Sequence, residues 1–222
     1  MISNRFKALI SFINRHLPFF VISLILWGCA AQKTENPLFK STDVFVARDT
    51  VTLHDTVLNR NIPIALYDVP RYVGNTTLKR LVIVNPGYGG KNTDYGYIAY
   101  NLAQHGYYVV VIQHDLPTDD TLPKVGDIYK LRKSFWNRGV ASVLFVTHYL
   151  KKKNYFIDFN NIILIGHSNG GDIAMLIANE YPKFAKVVIT LDNRRMPIPR
   201  SNRPKMFSIR SSDQPADAGV GG

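Results

Sequence analysis

The segment Gly166-His167-Ser168-Asn169-Gly170-Gly171 sets a hydroxyl nucleophile between glycines two residues to either side. An apolar, β-branched run, Ile162-Ile163-Leu164-Ile165, precedes it, and an amphipathic helical stretch begins at Asp172. A strand, then Gly-x-Ser-x-Gly, then a helix is the pattern of a nucleophile elbow. The glycines allow a sharp turn where Cβ atoms would collide. Ser168 is then expected at the apex with Oγ exposed. The helix behind it points N–H groups at charge developing there. The competing reading is a Gly-rich strand-to-helix turn that binds an anion or nothing.

Such a serine needs a scaffold. Residues 43–53 and 62–67 read as two opening strands, with Asn59-Arg60-Asn61 between them. Residues 80–85 read as a buried strand, flanked by a polar loop and a glycine-rich turn. Residues 94–105 read as a helix closed by Gly106. Residues 107–113 form a continuous apolar strand. Residues 130–150 read as a helix with Phe135, Val140, Val143, Leu144 and Val146 inward. The elbow strand and helix follow. Strands over 185–191 and 205–209 come last, separated by a loop rich in Arg and Pro. Strands alternating with helices predict an α/β fold with a mostly parallel, doubly wound sheet. There are no internal repeats and no low-complexity tract.

Four segments carry a resemblance. They are Asn61-Ile62-Pro63-Ile64-Ala65-Leu66-Tyr67, Asn85-Pro86-Gly87-Tyr88-Gly89-Gly90, Leu102-Ala103-Gln104-His105-Gly106-Tyr107 and the elbow. Together they resemble the α/β-hydrolase superfamily, nearest to esterases of the dienelactone-hydrolase or platelet-activating-factor-acetylhydrolase type. The resemblance covers roughly residues 44–217 and implies a serine esterase. It also assigns roles. Ser168 attacks a carbonyl, and the N–H groups of Asn169 and Tyr88 hold the oxyanion that forms. Asn85-Pro86 replaces the His usual at that loop. A plain Gly-rich connector is the other reading of the segment.

The acid follows the elbow in this superfamily. Asp213 is the favoured candidate, with Arg210 where the family has Gly. Asp192 and Asp217 are the alternatives, and each of the three could instead cap a turn. The base should be a His further downstream, but no His follows His167. His167 is expected to point away from Ser168. His114 is expected two strands away from the elbow, too far for a hydrogen bond and more a rim residue than a base. His105 and His148 fall on helices, and His54 and His16 lie outside the catalytic edge. The resemblance therefore implies a C-terminally truncated hydrolase lacking its last strand and helix, or one without a triad. Loops 116–128 and 193–203 are candidate pocket walls.

The amino terminus has its own logic. Arg5, Lys7 and Arg15 precede an apolar run over residues 17–26, too short for a comfortable membrane span. It ends in Leu26-Trp27-Gly28-Cys29-Ala30, which resembles the bacterial lipobox, and Cys29 is the only cysteine. The implied division is a lipoprotein signal peptide over 1–28, a polar tether over 29–42 and the hydrolase domain over 43–222. A chance Cys or an uncleaved signal anchor is the alternative. The resemblance implies an exported protein with Cys29 lipidated. Ala30 points to the periplasmic face of the outer membrane rather than the inner membrane. The formal charge is +11, and losing residues 1–28 removes three basic and no acidic residues, leaving +8. Lys151-Lys152-Lys153 reads as a solvated helix end, or as part of a basic surface facing anionic lipid or polyanion. No nucleic-acid module is recognisable. No His or Cys cluster has metal-ligand spacing, and no organic cofactor is implied. The expectation is a monomeric carboxylic ester hydrolase of the cell envelope acting on a small-molecule ester, weak or inactive without its His. The alternative is a non-catalytic envelope lipoprotein that binds through the same scaffold.

Overall fold

The computed structural model describes residues 44–153 and 156–220. Its strands are β1 (Ala47–Asp55), β2 (Arg60–Asp68), β3 (Lys79–Asn85), β4 (Tyr108–Ile112), β5 (Ile157–His167), β6 (Val187–Leu191) and β7 (Lys205–Ile209). They form one sheet in the order β1-β2-β4-β3-β5-β6-β7. β1 and β2 make an antiparallel hairpin, and β2 joins β4 antiparallel. From β4 to β7 every pairing is parallel. The predicted mostly parallel α/β sheet is the observed one.

The central strands are apolar without alternation because both faces are covered. Leu81 and Ile83 pack on one side with α2 (Ile128–Lys153) and α3 (Asn169–Glu180). Val82 and Val84 pack on the other side with α1 (Gly96–Gln104). α2 buries Trp136, Val140, Val143, Val146 and Leu150 in the first layer. The expected inward set holds at Val140, Val143 and Val146. Phe135 and Leu144 are only half-buried, and Phe135 lies under the Arg138 guanidinium, 5.0 Å from its ring centre. Trp136, one position on, is the residue fully enclosed.

Element ends shift for local reasons. The hairpin strands run closer to their turn than expected. The Asp55 carboxylate accepts the N–H groups of Val57 and Leu58 at 2.9 and 3.2 Å and organises the turn. α1 starts at Gly96 rather than 94, since Asp94 instead closes a turn by accepting the Lys91 N–H at 2.9 Å. It ends as expected before Gly106, whose φ is 86°. The expected signal segment, Cys29 and the expected tether lie outside the described residues. Among the described residues no helix is long and apolar enough to cross a membrane.

Candidate active site

β5 ends at His167 and α3 begins at Asn169, so Ser168 alone makes the turn. Its φ is 48° and ψ −118°, a conformation a side chain rarely adopts. Two hydrogen bonds hold it. The Ser168 N–H donates to the Leu191 carbonyl at the end of β6 (2.8 Å), and its carbonyl accepts the Asp172 N–H (3.0 Å). A Cβ on Gly166 would lie 2.3 Å from the Gly170 carbonyl oxygen, and one on Gly170 would lie 2.1 Å from that of Asn85. The first turn of α3 thus rests backbone to backbone on β5 and on the loop after β3. No other residue type fits at those two positions.

Asn169 is the first helical residue, so its N–H has no acceptor within the helix. Its side chain is fixed from below, where Oδ1 accepts the buried Trp136 indole N–H at 2.9 Å. Loop 87–90 faces the elbow. There the Gly87 N–H donates to the Tyr95 hydroxyl (3.0 Å), the Gly89 N–H to Asp115 (2.9 Å) and the Gly90 N–H to the Gly87 carbonyl (2.9 Å). The Tyr88 N–H has no acceptor among the described residues. The Tyr88 side chain reaches the loop after β4, where its hydroxyl accepts the Leu122 N–H at 3.1 Å.

A cleft of about 420 Å³ separates loop and elbow, lined by Tyr88, Asp94, Tyr95, Tyr97, His167 and Ser168 with Gly87 and Gly90. Of the two expected oxyanion-site residues, Tyr88 lines the cleft opposite Ser168 and Asn169 follows Ser168 at the start of α3. Loop 116–128 reaches the site through Leu122. Loop 193–203 contributes no lining residue to this cleft.

The histidines are placed as follows. His167 does not turn away from the cleft as expected but lines it. Its Nδ1 lies 2.6 Å from the Tyr95 hydroxyl. That hydroxyl also accepts the Gly87 N–H, and either partner can donate in the Tyr95–His167 bond, according to the His167 tautomer. Burial raises the Tyr95 pKa, which keeps the phenol protonated. His114 is not a rim residue. It is 5% exposed, and its Nε2 lies 2.9 Å from Asn85 Oδ1. Asn85 Nδ2 donates in turn to the Ile165 carbonyl of β5 at 3.1 Å. A layer of polar side chains thus ties three strands together beneath the elbow. Burial first, then the Arg60 and Arg138 charges, lowers the His114 pKa to about 3. β4 and β5 are two strands apart, or about 10 Å. His54 bonds Asn61 at 3.0 Å in the hairpin, His105 bonds the Asn101 carbonyl at 2.7 Å, and His148 is exposed on α2.

The acid candidates all lie off the cleft. Asp213 is exposed and makes no hydrogen bond or ion pair among the described residues. Asp192 follows β6 at φ 57°, with its N–H donating to the Ile209 carbonyl at 2.7 Å. The Asp217 carboxylate lies 3.8 Å from Arg195 Nε.

Sequence reasoning missed Asp172 as a structural anchor. It is 1% exposed. Its Oδ1 accepts the N–H groups of Arg194, Arg195 and Met196 at 3.2, 2.9 and 2.9 Å. Burial raises its pKa, against the pull of those three bonds. An Asp in the first turn of a helix was the available signal, but it reads equally as a partner of the helix dipole. Tyr95 was missed as well, because nothing in its local sequence links it to His167. Among the described residues no group of three or more His, Cys, Asp or Glu could hold a metal ion.

No family model matches the chain, and no curated protein matches it. Solved structures do. A ferulic acid esterase from Streptomyces cinnamoneus aligns with TM-score 0.54 at 16% identity, over 69% of this chain and 61% of that one. An S-formylglutathione hydrolase from Staphylococcus aureus aligns with TM-score 0.52 at 13% identity, over 68% and 59%. A protein assigned as a dienelactone hydrolase from Klebsiella pneumoniae aligns with TM-score 0.51 at 16% identity, over 72% and 65%. The match thus spans about three fifths of the length of the first two. At such identities the likeness is one of fold, and with the strand order and the elbow it shows that this chain has the α/β-hydrolase fold.

Proposed function

We propose that the chain is a serine hydrolase acting on a carboxylic ester. The observation that carries this is Ser168, held at φ 48° between β5 and α3 and lining a cleft opposite loop 87–90. In this reading Ser168 Oγ attacks the ester carbonyl. The N–H groups of Tyr88 and Asn169 take the oxyanion. The esterases among the structural neighbours support it at the level of fold. The tyrosine walls of the cleft suit an ester with an apolar or planar acyl group. Asp213 is the proposed acid, with Asp192 and Asp217 as alternatives. Cys29 is the proposed lipid attachment point, tethering a monomer to the periplasmic face of the outer membrane.

The base is the weak part of the machinery. Among the described residues no histidine hydrogen-bonds the Ser168 hydroxyl: His167 binds the Tyr95 hydroxyl through Nδ1, and His114 is buried two strands away. Turnover of nitrophenyl acetate is therefore expected to be slow, several orders of magnitude below that of a full triad. This absence favours a second reading, a binding protein on a hydrolase scaffold. A fluorophosphonate probe separates the two. Labelling at Ser168 that rises when imidazole is added marks an activatable nucleophile whose base is missing. A folded protein that is never labelled, with or without imidazole, supports the binding reading. Fractionation of Cys29→Ala tests the tether; unchanged processing and membrane association would sink that part.

A further inference from the structure

The other end of the sheet holds a second concavity of about 760 Å³. Lys183, Lys186, Arg203 and Lys205 line it, over a floor that includes Pro204 and Val187. Pro204 is buried and Val187 half-buried, while the four cationic residues are exposed. Parallel pairing forces them together. Val187 stands opposite Lys205 in the β6–β7 register, and the Lys205 N–H donates to the Lys186 carbonyl at 3.0 Å. Among the described residues none of the four side chains makes an ion pair or hydrogen bond, and no carboxylate lines the cavity. The Asp158 carboxylate reaches the cavity only through hydrogen bonds to its neighbours. It binds the side chain of Asn161, itself a lining residue, at 2.6 Å and the Asn160 N–H at 2.9 Å. Four like charges facing one space repel each other unless an anion sits among them.

The cavity is separate from the elbow. Val187 pairs with Ile163, five residues before Ser168 along β5, which is about 16 Å at the rise of a strand. It lies at the amino-terminal ends of β6 and β7, whereas Ser168 lies at the carboxyl end of β5.

We propose that this cavity binds a phosphate-bearing ligand, with the phosphate among Lys183, Lys186, Arg203 and Lys205 and its less polar part against Pro204 and Val187. A compact cavity with an apolar floor favours a discrete phosphate group over an extended polyanion. The source is either a soluble phosphate or the headgroup of an anionic lipid, and the two are separable. The full chain is compared with a variant carrying Lys183→Gln, Lys186→Gln, Arg203→Gln and Lys205→Gln. A control carries Arg48→Gln, Lys91→Gln, Lys124→Gln and Lys130→Gln, which removes the same formal charge from exposed residues outside the cavity. Calorimetry reads binding of inorganic phosphate against chloride at matched ionic strength. Flotation reads the extra binding to phosphatidylcholine vesicles when phosphatidylglycerol is added. Circular dichroism checks that all three proteins are folded. The cavity variant should lose at least about tenfold in affinity in one of the two assays, while the control keeps most of it. Loss in the phosphate assay assigns a soluble ligand, and loss only in flotation assigns a lipid headgroup. Equal loss in both variants, or no preference for phosphate in either assay, overturns the proposal.

Discussion

Ser168 is strained where it is placed to react. At φ 48° and ψ −118° a side chain costs on the order of 1–3 kcal/mol, while glycine adopts the conformation freely. Ser168→Gly should therefore be more stable than Ser168→Ala by about 1 kcal/mol in urea denaturation, the reverse of the usual order of those residues in a helix. Both should abolish fluorophosphonate labelling. An equal or greater stability for the Ala variant would show that the turn carries no strain. Tyr95→Phe tests the neighbouring contact. It leaves the Gly87 N–H without its acceptor and frees His167 Nδ1. Labelling of Ser168 should fall roughly tenfold or more as the loop loses its register; an unchanged rate would mean that Tyr95 only packs. His114 gives a pH prediction. Its folded pKa of about 3 lies below the unfolded value of about 6.5. The unfolded chain therefore binds the extra proton first, and stability falls as pH drops from about 6.5 towards 3. His114→Gln keeps a donor for Asn85 and removes the titration. Its stability should change less with pH across that window, and an unaltered slope would place the acid sensitivity elsewhere.

The elements explain what was legible. Ile162-Ile163-Leu164-Ile165 followed by Gly166-His167-Ser168-Asn169-Gly170-Gly171 marks the strand, turn and helix, because the turn's sterics demand those glycines. The mostly parallel α/β sheet followed from alternating helices and strands. The hidden parts are contacts between elements far apart in sequence. Asn85 and His114 meet across two strands, Tyr95 meets His167, and Trp136 supports Asn169. Asp172 is the clearest case, since three N–H groups of loop 194–196 converge on one buried oxygen. Periodicity places Asp172 in a first helical turn but says nothing about a loop some twenty residues downstream. Asp172→Ala should cost about 2–4 kcal/mol, from three backbone donors left with one acceptor fewer. It should also speed tryptic cleavage after Arg194 and Arg195. Asp172→Asn, which keeps an oxygen there, should do less of both. Fast nicking in neither variant would mean that other contacts hold the loop.

At the scale of the whole molecule, the two edges of the sheet differ in character. β1 reads Ala-Arg-Asp-Thr-Val-Thr-Leu-His-Asp, with polar residues predominating on its exposed positions. β7 reads Lys-Met-Phe-Ser-Ile, and Phe207 and Ile209 are 55% and 62% exposed. One side of β7 pairs with β6; on the other no strand pairs with it among the described residues, leaving backbone donors and acceptors beside two apolar side chains. Such an edge templates strand addition. Opposing it is the charge of the molecule, +11 over the full sequence, with Lys205 and Arg210 at the two ends of β7. Repulsion between copies is screened by salt, whereas apolar contact is not. Self-association of the full chain should therefore increase with salt concentration in sedimentation velocity. Phe207→Lys combined with Ile209→Lys should suppress it at every salt concentration while leaving the thermal transition nearly unchanged, because both side chains point into solvent. Association that weakens with salt would show that charge pairs, not the β7 edge, bring copies together. Association that survives the double substitution would move the contact to another face.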